Sequence, residues 1–136
     1  LWERFGRGES WRLLDEVRPT LEKLKEQGYR MAVLSNNDSR LRKVLDDLGI
    51  APFFEHVFVS SELGCGKPDP NVFRSVEEVM GLQSNALLHV GDDPARDAAA
   101  ARKAGWQAIL LTEESGPGLR AREISQLPDL LETLAA

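Results

Sequence analysis

The sequence predicts an α/β fold: a parallel sheet with helices on both faces. Three observations lead there. Apolar runs of strand length alternate along the whole chain with segments of helical period. Pro and Gly punctuate those segments at the positions where helices start and stop. Polar residues gather where the apolar runs end, which is where open α/β sheets place their ligands.

The lead-in, Leu1 to Trp11, is polar and carries Gly6 and Gly8, with Trp2, Phe5 and Trp11 as packing residues. Pro19 opens a helix over Thr20 to Gln27, with Leu21 and Leu24 on one face and Gly28 as its stop. Tyr29 to Leu34 reads as the first strand and ends in Ser35-Asn36-Asn37-Asp38. A helix from Ser39 to Leu48 repeats Leu41, Val44, Leu45 and Leu48 at helical spacing, closed by Gly49. Phe53 to Ser60 is the second strand, followed by the loop Glu62 to Pro70 and a helix from Pro70 to Met80. Ala86-Leu87-Leu88 leads into the third strand, ending at Val90, and an Ala-rich helix covers Ala98 to Ala104. Trp106 to Leu111 is the last strand. Gly116-Pro117-Gly118 marks a loop, and a helix from Ile124 to Leu134, broken at Pro128, closes the chain. Strict alternation of this kind implies right-handed crossovers.

The turn Gly91-Asp92-Asp93-Pro94-Ala95-Arg96-Asp97 carries the densest chemistry. Three carboxylates in one turn repel one another unless positive charge lies among them, and a divalent cation with oxygen ligands is the simplest candidate. An acidic helix N-terminus, capped by Asp92 or Asp93 and favoured by Asp97, accounts for the same residues. Parallel strands share a carboxyl edge, so Ser35, Lys67 and Asp92 can converge. A hydroxyl, an ammonium and a metal-binding carboxylate together make a phosphate site. Singly, each has a plainer reading: Ser35, Asn36, Asn37 or Asp38 as helix caps, Lys67 as a solvated loop lysine. Pro68 and Pro70 restrain the loop around Lys67 and favour a positioned side chain.

The bulk properties narrow the function. The chain of 136 residues suits one domain, and 42% hydrophobic content supports a real core. Seventeen Lys and Arg against 22 Asp and Glu give a net charge of −5, which argues against a nucleic-acid partner. No apolar stretch reaches the length of a membrane span. The single cysteine, Cys65, fits a reducing, cytoplasmic setting and lacks an evident base partner for nucleophilic work. His56 and His89 lie at strand positions without metal-ligand spacing and read as packed or surface histidines. Trp2, Trp11 and Trp106 read as packing residues, since no basic stripe accompanies them.

Ser35 after an apolar strand, Lys67 in Gly-Lys-Pro-Asp-Pro, and Gly-Asp-Asp-Pro-Ala-Arg-Asp resemble the second, third and fourth motifs of the haloacid dehalogenase superfamily, in the family's order. The resemblance runs from about Pro19 to Leu111. Leu-Ser-Asn-Asn and His-Val-Gly-Asp-Asp are similar to the haloacid-dehalogenase-like hydrolases with a small helical cap. It implies a Rossmann-like three-layer core over residues 19–136, with residues 1–18 as the remnant of a cap and its connector. It also implies that Ser35 binds the transferred phosphoryl group with Asn36 near it. On the same resemblance Lys67 would stabilise the nucleophile and the phosphoryl charge. By the same resemblance Asp92 would ligate Mg2+, and Asp97 would ligate it or orient Lys67 and metal-bound water. Asp93, often Ser in relatives, is a further candidate at the metal. The implied activity is Mg2+-dependent hydrolysis of a small phosphorylated metabolite through a phospho-aspartate.

One motif of that family is not found here. Its nucleophile and general acid/base stand on a strand ending in Asp-x-Asp, upstream of the cap, and no such strand precedes Ser35. Asp15 lies in a polar, helical context, and Asp69 belongs to the Lys67 motif. The chain as given is therefore not expected to be active, and a beginning at Leu1 reads as a truncated or processed protein. The missing strand is central in relatives, so its absence leaves two unpaired edges within the sheet. Either the strands close up directly or a preceding segment or second chain completes them. Two other functions stay open: a catalytically inactive binding or regulatory module of the same fold, and a metal-independent haloacid dehalogenase. A response-regulator-like phosphoacceptor is weaker, since it needs the same strand-end Asp.

Overall fold

The structure, a computed structural model, describes residues 10–36 and 39–135, with the backbone course alone for residues 10–16 and 135. The expected cap remnant before residue 10, and the packing of Trp2, Phe5 and the Trp11 side chain, lie outside the described residues. Helix α1 (Ser10–Glu26) is longer than the sequence suggests and takes Pro19 into its interior. It crosses the expected boundary at residue 18 without a break. Val17, Thr20, Leu21 and Leu24 are all buried, so the apolar stripe begins before Pro19. Proline in a helix interior costs about 3 kcal/mol. Burying one Val or Leu recovers about 1.5–3 kcal/mol, so three such side chains outweigh it.

Strand β1 (Ala32–Ser35), helix α2 (Arg40–Asp47) and strand β2 (His56–Val59) follow. Pro52 lies in a single 3-10 turn, Ala51–Phe53, which starts β2 later than the apolar run implies. A one-turn helix α3 (Ser60–Leu63) leads to the Lys67 loop, and α4 (Pro70–Met80) begins where Asp69 accepts the Asn71 amide at 2.9 Å. Strand β3 (Leu88–Gly91) runs into a wide helical turn, Pro94–Ala99, continued by α5 (Ala100–Lys103). Strand β4 (Gln107–Leu111) gains a partner absent from the sequence expectation, the two-residue β5 (Arg120–Ala121). Helix α6 (Leu127–Ala135) carries Pro128 in its first turn, where no amide hydrogen is needed, so this proline does not break it.

All strand pairing is parallel: β1 with β2, and β3 with β4 and β4 with β5. The strands are buried on both faces, as a covered parallel sheet requires. Val33, Val59 and Ile109 pack against α1, α2 and α6, while Leu34, Phe58, Ala108 and Leu110 pack against α4 and α5. This is the three-layer arrangement. The sheet itself is partial. Among the described residues β1 pairs only with β2 and β3 only with β4, so two sheets face each other across an open slot. Residues 10–18 are helical and do not fill it. The slot is an apolar cavity of about 510 Å³, lined by Ala32 and Leu34 of β1, Leu88 and Val90 of β3, and Leu24 and Met80.

Candidate functional site

Hydrogen bonds span the carboxyl ends of the two sheets. Ser35 ends β1, fully buried, in register with Val59. The next residue, Asn36, holds the Lys67 main chain from both sides: its Nδ2 donates to the Lys67 carbonyl at 2.9 Å, and its Oδ1 accepts the Lys67 amide at 2.8 Å. Gly66 leaves room for this clamp, since a Cβ there would lie 2.9 Å from Asn36 Oδ1. The Lys67–Pro68 peptide is cis.

The Lys67 side chain is buried and its Nζ donates to Asp97 Oδ1 at 2.5 Å. The same oxygen accepts from His89 Nε2 at 2.9 Å, and Asp97 Oδ2 accepts the Asp93 amide at 3.0 Å. Both carboxylate oxygens of Asp97 are thus engaged, and the path Asn36–Lys67–Asp97–Asp93 joins the end of β1 to the end of β3. Gly91 permits the last contact. A Cβ on it would stand 2.2 Å from Asp97 Cγ, so only glycine lets the carboxylate lie against the strand.

Charge follows from this packing. Burial pushes the Asp97 carboxyl up, but the His89 hydrogen bond and the charge and hydrogen bond of Lys67 outweigh it, holding the group well below the usual carboxylate range. Burial pushes the His89 imidazole down to about 4, against the pull of Asp97. His89 is therefore neutral at pH 7 and donates from Nε2 to an ionised Asp97. Its Nδ1 is buried without a hydrogen-bond partner.

The other two carboxylates part company. Asp93 caps the following helix: its Oδ1 accepts the Ala95 and Arg96 amides at 2.9 and 2.8 Å, and its Oδ2 accepts Arg96 Nε at 3.1 Å. The Arg96 amide and guanidinium hold its carboxyl below its ordinary value. Asp92 follows Gly91, half-buried. Among the described residues no three His, Cys, Asp or Glu side chains gather to hold a metal ion. The chemistry of a single carboxylate such as Asp92 suits Mg2+, because that ion takes only one or two carboxylates beside phosphate oxygens and water.

His89 is the site residue that sequence reasoning missed. Its signal was a polar side chain inside the apolar run Ala86 to Val90, but nothing local told its bond partner. Cys65 is half-buried in the loop before Lys67, and His56 is exposed on β2, its ring tilted against Phe58 at 5.7 Å between centroids. Trp106 packs on Phe73 with ring centroids 5.1 Å apart and donates to Glu77 at 2.8 Å, a packing role as the sequence suggests. No helix among the described residues is long and apolar enough to cross a membrane.

Fold and site together define an α/β protein of the Rossmann-like class, with its polar centre at the carboxyl ends of parallel strands. A family model for haloacid dehalogenase-like hydrolases matches residues 2–105, and the chain belongs to that family. It is 32% identical over 111 residues to haloacid dehalogenase-like hydrolase domain-containing protein 3 of Mus musculus, covering 82% of this chain and 44% of that protein. It is 33% identical over 127 residues to a phosphoserine phosphatase of Thermus thermophilus, covering 93% of this chain and 49% of the relative. The crystal structure of a HAD phosphatase from Thermococcus onnurineus superposes with a TM-score of 0.78 at 24% identity, over 85% of this chain and 56% of that one, a likeness of fold. The chain spans about half the length of the curated relatives it matches.

Proposed function

We propose that these residues form most of the core of a Mg2+-dependent phosphohydrolase acting on a small phosphorylated metabolite through a phospho-aspartate. The observation that carries the reading is the hydrogen-bonded path from Asn36 through Lys67 and Asp97 to Asp93, which brings a buried ammonium to the carboxyl ends of both sheets.

In this reading the Ser35 hydroxyl and neighbouring amides donate to the phosphoryl oxygens, and Asn36 sets the Lys67 backbone beside them. Lys67 offsets the negative charge shared by nucleophile and phosphoryl group. Asp97 orients Lys67, and Asp93 shapes the helix start. Asp92 would hold Mg2+, which when bound supplies a positive charge to the phosphate oxygens. The attacking aspartate comes from outside the described residues, on an extended segment that fills the slot between β1 and β3. That segment precedes these residues in a longer chain or belongs to a second chain. The open edges of β1 and β3 and the apolar slot between them support this, since each edge is paired on one side only. A single cysteine fits a cytoplasmic setting.

The test is an assay of the longest natural product of the coding sequence with p-nitrophenyl phosphate, with and without chelator. Phosphate release that needs Mg2+ and falls at least about a hundredfold in Lys67→Met supports the reading. Halide release from a haloacid, indifferent to chelator, replaces it with the dehalogenase. Folded protein that binds phosphate and turns over neither substrate replaces it with the inactive module.

A further inference from the structure

Resting on the phosphate-site reading, we propose that His89 is a positioning residue: it fixes the Asp97 oxygen against which the Lys67 ammonium is seated. His89 lies on β3, wholly buried, with its ring edge-on to Phe73 at 6.0 Å and to Trp106 at 6.4 Å between centroids. A purely packing residue in that aromatic nest has no use for two ring nitrogens. Nδ1 is buried without a partner, an unfavourable condition that an apolar side chain of similar volume avoids. What the imidazole offers in return is one bond, Nε2 to Asp97 Oδ1 at 2.9 Å.

That bond falls on the atom that matters. Asp97 Oδ1 is also the acceptor for Lys67 Nζ at 2.5 Å, while Oδ2 is tied to the Asp93 amide at 3.0 Å. With three donors in place the carboxylate has one orientation, and the lysine has one seat. Without His89 the carboxylate keeps its main-chain bond through Oδ2, but Oδ1 loses one of the two donors that fix its direction, and the seat of the ammonium is less closely defined. A neutral ring suits this task better than a cation, because it adds a donor without competing with Lys67 for the carboxylate's charge. His89 touches no substrate in this scheme and acts only through Asp97.

The test has two arms. In the complete protein, His89→Leu removes the donor and keeps the bulk, while His89→Gln restores an N–H at similar reach. Loss of about ten- to a hundredfold in kcat on p-nitrophenyl phosphate, with KM nearly unchanged and most activity regained in His89→Gln, supports the assignment. A folded His89→Leu with the parent kcat overturns it. The second arm needs no activity: the 15N–1H spectrum of the wild-type imidazole. A proton held on Nε2 that shifts in Asp97→Asn supports the bond; a proton on Nδ1 overturns it, even where His89→Leu fails to fold. If the wild-type protein hydrolyses no phosphate ester, the phosphate reading falls, while the spectrum still decides whether His89 holds Asp97.

Discussion

Lys67 Nζ and Asp97 Oδ1 meet at 2.5 Å with both side chains essentially out of solvent. The two residues stand thirty positions apart, one in the loop before α4 and the other in the turn after β3. Their pairing ties the β1–β2 sheet to the β3–β4–β5 sheet where the strands between them do not pair.

Removing one member of this pair strands a buried charge. Asp97→Ala should therefore lower unfolding stability by about 3–5 kcal/mol, read from urea denaturation. The double variant Lys67→Met with Asp97→Leu should be less destabilised than either single change, because both charges go together. A single-variant loss under about 1 kcal/mol, the size of an exposed pair, would show that the contact is solvated in solution.

Gly91→Ala tests the close approach of carboxylate to strand. Its Cβ would stand 2.2 Å from Asp97 Cγ, far inside contact distance, so strand or carboxylate must shift. A loss of about 1–3 kcal/mol is expected, together with reduced activity in the complete protein. Val79→Ala, at a position half exposed on α4, serves as the comparison and should change stability by no more than about 0.5 kcal/mol.

Asn36→Ala deletes both arms of the clamp on Lys67. Two main-chain groups of the half-buried loop then lose their partners, and a cost of about 1–3 kcal/mol is expected in thermal or urea unfolding. Asn36→Asp should be nearly as costly, since its carboxylate still accepts the Lys67 amide but faces the Lys67 carbonyl without a donor.

Acid should weaken the fold in a defined window. The unfolded chain protonates His89 near pH 6.5, whereas burial delays this to about 4 in the folded chain. Between those values the unfolded state binds more protons, so stability rises with pH and falls on acidification. The full transit is worth about 3 kcal/mol from this residue. Asp97, held below the usual carboxylate range, extends the loss below about pH 4. Urea midpoints between pH 7 and pH 4 measure the first part, and His89→Leu should flatten it.

Much of this architecture is legible in the order of residues. The runs around Val33, Val57 and Val90 place three strands, with β1 and β2 shorter than their runs, and the repeat of Leu41, Leu45 and Leu48 gives α2, because buried periodicity is a local property. The placing of Ser35, Lys67 and Asp92 after successive strands was equally visible. Pro19 misled: a local rule made it a helix start, and the buried side chain of Val17 carries α1 past it. Strand β5 was invisible because two residues, Arg120 and Ala121, carry no pattern and owe their form to the edge of β4.

The sequence by itself determined that helices and parallel strands alternate, and that a hydroxyl, an amine and carboxylates stand at the strand ends. It did not determine what each carboxylate does. Asp92, Asp93 and Asp97 look alike in one acidic turn, yet Asp93 caps a helix and Asp97 is shared between Lys67 and His89. Tertiary structure alone decided this, and it alone decided that β1 and β3, whose unpaired edges the sequence led one to expect, stay apart rather than close up directly. The reason is physical: hydrogen-bond partners about thirty residues apart are chosen by strand order and register, and by which groups burial leaves no water to satisfy.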